Sequence, residues 1–281
     1  MFPAGWGAHD AFARLASGLT DAPVAIAPTL VGEHGSFESP LAAELPPAAR
    51  TAQFRWIRPR DDAPTVVVLA ATGEHGFARR ARWAAPLVHD GIGVVLLENP
   101  RYGVRKPAEQ ARSAMPTVEA GAAMAAATVA EGKALVHWLR NSGARNVAIS
   151  GYSMGGAIAG LVAATSPYEV PVVAAATGIS PAPVYTQGFL SRQVMWDRLG
   201  EDPEPRLFAE FERVSLARQR PPPGPAVLLA YEHDGYVAPD DVRALAAHWP
   251  HAELTWLPGG HVCGAVTSGT AVRRALLHLL T

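Results

Sequence analysis

The segment Ile149-Ser150-Gly151-Tyr152-Ser153-Met154-Gly155-Gly156 constrains the fold of this chain more than any other. It holds a G-x-S-x-G motif centred on Ser153, directly after the apolar run Asn146 to Ile149 and directly before the small-residue run Ala157 to Thr165. That pattern predicts a strand, a sharp turn and a helix. So tight a turn holds its central residue at strained backbone angles, and glycines flank it because side chains there would collide with the neighbouring strand and helix. The Ser153 hydroxyl then stands clear of the sheet. Glycine-rich strand-to-helix turns are common and so is serine, so the rest of the chain has to show whether this serine is chemical or structural.

The surrounding pattern is α/β. Thr65 to Ala70, Gly93 to Leu97, Val170 to Ala176 and Ala226 to Tyr231 are aliphatic or β-branched runs of the kind buried on both faces of a parallel sheet, and Ala252 to Leu257 supplies a last strand. Ala52, Phe54 and Trp56 alternate with polar residues, which predicts a half-buried strand. Helices are expected over Phe77 to His89, Thr117 to Asn141, Pro239 to Trp249 and Ala265 to Leu280, with a short one over Phe12 to Leu19. Strands alternating with helices specify a mostly parallel sheet, and ligands of such sheets bind beyond the carboxyl ends of the strands.

Two of those strand ends supply what Ser153 needs. After Ala226 to Ala230 comes Tyr231-Glu232-His233-Asp234-Gly235, with Asp234 at the tip of a turn; after Leu257 comes Pro258-Gly259-Gly260-His261. A serine hydroxyl is a weak nucleophile until an imidazole accepts its proton, and a carboxylate must hold that imidazole in the right tautomer. Alone, Asp234 reads as a turn residue and His261 as a helix cap. Together with Ser153, in the order Ser, Asp, His, they point to a catalytic triad on an α/β-hydrolase fold. Glu232 and His233 are the nearest competitors for acid and base. For the oxyanion, the expected donors are the N–H of Met154 and, from the loop Ala71 to Gly76, that of Glu74, with Gly73 next in line. The other histidines show no metal-ligand spacing, so no metal and no cofactor are expected.

The 281 residues suit one domain, large enough to bury about three quarters of the surface its unfolded chain exposes. Residues 1–60 carry Pro23, Pro28, Pro40, Pro46 and Pro47 and are expected to wrap the sheet edge as an N-terminal extension. Residues 178–225, between nucleophile and acid, stand where a cap is inserted in many such folds. Phe189, Val194, Met195, Trp196, Leu199, Leu207, Phe208 and Phe211 recur there at near-helical spacing, either as part of a cap or as packing on the core. A formal net charge of -1 gives no reason to expect nucleic acid. The lone Cys263 excludes an intrachain disulfide, and the absence of a signal-like start or a membrane-spanning run makes a cytoplasmic location the expectation.

Several further motifs are more particular than the fold: Gly5-Trp6-Gly7, Ala71-Thr72-Gly73-Glu74-His75, Glu98-Asn99-Pro100-Arg101-Tyr102-Gly103 followed by Arg105-Lys106-Pro107, and the segment Gln110 to Ser113. With Gly151 to Gly156 they make the chain resemble the α/β-hydrolase domain-containing protein 18 family. The resemblance implies an acyl-ester hydrolase or lipase-like activity without fixing the substrate, and Tyr152 departs from the smaller or aliphatic residue expected before the serine. A carboxylic ester hydrolase acting on a small-molecule or lipid ester is therefore the leading expectation. An acyltransferase or peptidase would use the same triad, and a non-catalytic binding module would share the fold. Arg79, Arg80, Arg82, Arg101, Arg105 and Lys106 follow two central strands. They either solvate a face and pair with nearby acids or, with Arg101 and Arg105 contacting substrate, favour an anionic ester.

Overall fold

The computed structural model describes residues 1–8, 12, 13, 15, 19, 22, 24–111 and 115–281. Most of the helix expected over residues 12–19, and Arg112 and Ser113 of the motif at 110–113, lie outside the described residues. The strands are β1 (Thr29–Val31), β2 (His34–Glu38), β3 (Thr51–Ile57), β4 (Thr65–Leu69), β5 (Gly93–Leu97), β6 (Val147–Tyr152), β7 (Val172–Ala175), β8 (Ala226–Tyr231) and β9 (Ala252–Leu257). They form one sheet in the order β1-β2-β3-β5-β4-β6-β7-β8-β9. The first three are antiparallel to their neighbours, and the run from β5 to β9 is parallel. Every residue of β4, β5, β7 and β8 is buried, as continuous apolar runs require when both faces are covered.

The helices are α1 (Ala78–His89), α2 (Val118–Asn141), α3 (Met154–Thr165), α4 (Ala182–Thr186), α5 (Pro203–Glu212), α6 (Pro239–His248), α7 (His261–Thr267) and α8 (Gly269–Leu280). One face of the sheet is covered by α1 and α8 through Ala84, Leu87, Val272 and Leu276. The other is covered by α2, α3 and α6 through Leu135, Leu139, Ile158, Val162 and Leu245. The fold is that of the α/β-hydrolases.

Three local features differ from the sequence expectation. Residues 29–38 form a hairpin in which Val31 pairs His34 across the two-residue turn Gly32-Glu33, so the amino-terminal region adds strands to the sheet edge. Its alternation is weak because most of both strands is exposed. The last helix is two helices meeting at Ser268, where Gly269 lies so close to Trp83 that a Cβ there would stand 2.9 Å from the indole. The nucleophile strand continues through Tyr152, because Gly151 and Tyr152 still pair with Ala174 and Ala175 of β7.

The motif Gly5-Trp6-Gly7 has a physical role at the start of α2. The first N–H groups of a helix have no intrahelical partner. Here Val118 N–H donates to the Gly5 carbonyl at 3.1 Å, Glu119 N–H to the Trp6 carbonyl at 2.9 Å, and Thr117 caps Ala120 N–H at 3.0 Å. Gly7 sits against Glu119, where a Cβ would fall 2.5 Å from the carboxylate.

Candidate active site

Ser153 stands between β6 and α3 at φ 56° and ψ −120°, a conformation that L-residues rarely adopt. The elbow is locked by its own N–H, which donates to the Ala175 carbonyl at 2.8 Å. It also depends on close backbone approaches. A Cβ on Gly151 would lie 2.2 Å from the Gly155 backbone, and one on Gly155 2.7 Å from the Leu69 carbonyl. The glycines are therefore required by space, as the sequence suggests.

At the carboxyl edge of the sheet the three expected side chains meet. His261 Nε2 is 2.9 Å from Ser153 Oγ, and His261 Nδ1 is 2.7 Å from Asp234 Oδ2. Asp234 is fixed in turn, since its Oδ1 accepts the N–H groups of Tyr236 at 2.8 Å and Val237 at 2.9 Å. The carboxylate side chain is only 3% exposed and the imidazole 11%, so the chain of contacts runs from a buried acid to a serine that lines a cavity. Glu232 and His233 are exposed on the approach to this turn, and neither is hydrogen-bonded to the serine.

Two tyrosines hold the imidazole. The Tyr236 ring stacks on His261 at 4.6 Å and 24°, and the Tyr152 ring meets it edge-on at 5.4 Å. Tyr152, the departure before the serine, has a purpose in this geometry: its hydroxyl donates to the His261 carbonyl at 2.5 Å. Burial, then the neighbouring Tyr231, raises the Tyr152 pKa, so the hydroxyl keeps its proton and remains a donor. Tyr231 adds a hydrogen bond to the Gly264 carbonyl at 3.3 Å, and the Tyr231 ring and the Tyr152 hydroxyl lie against Gly264 where a Cβ would clash. The short helix α7 is thus docked by side chains from β6 and β8. Tyr152→Phe is expected to lower kcat roughly threefold to tenfold by freeing the start of α7, with KM little changed, as one lost hydrogen bond implies. Steady-state kinetics on a neutral ester checks this, and an unchanged kcat would make the tyrosine a packing residue only.

The two expected oxyanion donors differ in how their N–H groups are engaged. Met154 opens α3, so its N–H has no intrahelical partner, and among the described residues no acceptor takes it. Glu74 is a correction: its N–H closes its own turn onto the Ala71 carbonyl at 3.2 Å, and its carboxylate accepts from Ala71 N–H at 3.2 Å and Arg80 Nε at 3.0 Å. It faces away from the site. Thr72 and Gly73, the middle of that turn, line the cavity instead. The Gly73 backbone hydrogen-bonds the buried Tyr102 hydroxyl, and among the described residues no backbone carbonyl accepts the Thr72 N–H.

The cationic residues are a second correction. Arg105 is 1% exposed and forms a two-pronged pair with Glu131 at 2.6 and 2.8 Å, with further bonds to the Glu98 and Ala49 carbonyls. It cannot reach a ligand. Arg101 bonds Gln110 at 3.5 Å and takes no part in the cavity wall. Of the six cations after the two strands, Arg79 alone borders the cavity, where it donates to the Ala265 carbonyl at 3.0 Å.

That cavity, about 1000 Å³, opens at Ser153 and runs inward between α2 and residues 178–225. Its wall is apolar, with Phe2, Phe12, Met115, Ile179, Tyr185 and Phe211 among the lining residues. Small residues of α2, among them Gly121, Ala122 and Ala125, keep it wide. The apolar stripe over residues 189–211 splits: Val194, Leu199 and Leu207 are buried beside Phe2, while Phe189 and Met195 are exposed.

A serine on a strand-to-helix elbow, facing His and Asp across the carboxyl edge of a mostly parallel sheet, defines the α/β-hydrolase class. The chain belongs to the family described as "Alpha/beta hydrolase domain containing 18", whose model matches residues 24–223. That span includes Ser153 and ends before Asp234 and His261. Among solved structures the chain is similar to acetyl xylan esterase 1 from Thermoanaerobacterium sp. JW/SL YS485, at 13% identity and a TM-score of 0.63, with 100% of this chain and 96% of that chain covered. It is also similar to ferulic acid-bound Est1E from Butyrivibrio proteoclasticus, at 12% and 0.60, covering 82% of this chain and 95% of that one. An acylaminoacyl peptidase from Pyrococcus horikoshii matches at 12% and 0.61, covering 91% of this chain and 41% of its own. At such identities the likeness is one of fold. Among the described residues, no helix is long and apolar enough to cross a membrane.

Proposed function

We propose that this chain is a serine hydrolase that cleaves a carboxylic ester carrying an apolar acyl group, through an acyl-enzyme. The observation that carries the proposal is the continuous relay from Asp234 through His261 to Ser153, with the serine hydroxyl at the mouth of an apolar cavity. Ser153 Oγ attacks the acyl carbon as His261 Nε2 takes its proton, and Asp234 stabilises the imidazolium that forms. The N–H groups of Met154 and Thr72 receive the developing oxyanion, aided by the positive end of α3. The tetrahedral intermediate collapses, the ester C–O bond breaks, and the imidazolium gives its proton to the departing alkoxide. Water, deprotonated by His261, then attacks the acyl-enzyme. The carboxylic acid leaves, and Ser153 regains its proton.

The cavity favours an ester with a long acyl chain over an acetyl group, since about 1000 Å³ is at the top of the range for small-molecule sites and its wall offers mostly methyl and aromatic groups. Residues 178–225 act in this proposal as a cap that forms one wall of the acyl pocket. The test is labelling with a fluorophosphonate followed by kinetics on p-nitrophenyl esters of increasing length. Label is expected on Ser153, and kcat/KM is expected to rise from the acetate by up to about fourfold per methylene, the equivalent of roughly 0.8 kcal/mol per buried CH₂. No label would leave a binding module. A preference for acetate would remove the acyl-pocket assignment while keeping the hydrolase.

A further inference from the structure

The loop that presents Thr72 is held by a buried ion pair that takes no direct part in the proposed reaction. Arg80 is 6% exposed and Glu74 9%. The guanidinium donates through Nη1 to carbonyls near the ends of two adjacent strands, Val68 of β4 at 2.8 Å and Leu97, the last residue of β5, at 2.7 Å. Through Nη2 it reaches the Gly76 carbonyl at 3.2 Å, and through Nε it reaches Glu74 Oε1 at 3.0 Å. The other Glu74 oxygen holds Ala71 N–H at 3.2 Å, one residue before Thr72. From the far side, Glu98 Oε1 accepts Gly76 N–H at 2.7 Å, and Asn99 Nδ2 donates to the Ala70 carbonyl at 3.3 Å.

Both ends of the segment 70–76 are therefore pinned, and its middle, Thr72-Gly73, faces the cavity. A buried ion pair is a weak source of net stability because desolvation offsets most of its attraction. What it supplies here is geometry: a planar fork that ties the ends of β4 and β5 to one carboxylate. An oxyanion donor misplaced by about 1 Å forfeits much of its effect, so this fixation has catalytic value.

We propose that Arg80 and Glu74 are positioning residues for the oxyanion site: the guanidinium orients the Glu74 carboxylate, which holds Ala71 N–H and so aims Thr72 N–H at the acyl oxygen. The proposal rests on the serine-hydrolase assignment. It gives the loop motif Ala71 to His75 and the motif beginning at Glu98 a shared task.

The experiment compares wild-type protein with Glu74→Gln, Glu74→Ala and Arg80→Lys, measuring kcat and KM on one neutral ester, the inhibition constant of an alkyl boronic acid that mimics the tetrahedral intermediate, and Tm. The expected result is a loss of kcat of roughly 10 to 100-fold with KM within about twofold, and a matching loss of boronate affinity, as removal of a transition-state contact requires. Glu74→Gln, which keeps an oxygen for Ala71 N–H, should fall less than Glu74→Ala. If Glu74→Ala or Arg80→Lys fails to fold, Glu74→Gln decides alone. Wild-type kcat and boronate affinity in folded variants with lowered Tm would overturn the proposal and leave the pair a structural support. Lowered kcat with unchanged boronate affinity would overturn it too. A wild-type protein that neither labels at Ser153 nor turns over any ester would instead remove the hydrolase assignment.

Discussion

Ser153→Ala is expected to remove essentially all ester turnover while the Tm stays within a degree or two of wild type. Oγ is the nucleophile of the proposed reaction, and its loss takes away one hydrogen bond, to His261. Asp234→Asn is expected to lower kcat by a factor of about 10⁴, because an amide nitrogen facing His261 Nδ1 favours the tautomer that cannot accept the serine proton. This variant is the more informative. The carboxylate also accepts two backbone N–H groups through Oδ1, and an asparagine oriented with its oxygen there keeps those bonds. Its turn should therefore survive and the loss should be one of chemistry. Activity within tenfold of wild type in Asp234→Asn would remove Asp234 from the relay despite the 2.7 Å contact.

The parts of the site legible in the sequence are those in which covalent neighbours decide the geometry. Ser153 is recognisable because Gly151 is needed by a close approach to Gly155 and Gly156 of the same motif, and Asp234 and His261 because each follows within a few residues of a strand's carboxyl end. Continuous apolar runs similarly announce β4, β5 and β8, since burial on both faces leaves no polar positions. The hairpin of β1 and β2 gives a weaker signal, because mostly exposed edge strands carry little alternation.

What could not be read depends on partners distant in sequence or on which backbone groups are already engaged. Glu74 looks like a loop residue with a free N–H until the turn closes on Ala71, which leaves Thr72 and Gly73 in its middle, lining the cavity. Arg105 looks like a surface cation until α2 brings Glu131 beneath it. One clue was present: Glu131 and Lys133 interrupt the apolar, alanine-rich middle of the helix, and a charge within a helix buried on most sides calls for a partner. Tyr152 gave no local signal either, since its acceptor is a carbonyl 109 residues away.

Arg105 and Glu131 carry the largest stability effect expected outside the apolar core. Their side chains are 1% and 0% exposed, and the two-pronged pair at 2.6 and 2.8 Å leaves both carboxylate oxygens bonded. Neutralising either partner strands the other charge in a dry interior, at a cost of about 3–5 kcal/mol. Glu131→Gln and Arg105→Gln should therefore lower Tm by roughly 10 °C in a protein of this size. The effect should not depend on substrate: kcat/KM of the folded protein should change by the same factor for an anionic and a neutral ester of equal chain length. Replacing both charges with apolar residues of similar volume, as in Arg105→Met with Glu131→Leu, should recover part of the loss because no charge is then buried alone. Recovery will be incomplete, since Arg105 also holds the Glu98 and Ala49 carbonyls and so ties the loop after β5 to the segment before β3. Thermal melts of the three variants, with paired kinetics, check this. A wild-type Tm in Arg105→Gln, with KM raised for the anionic ester alone, would return the residue to substrate binding.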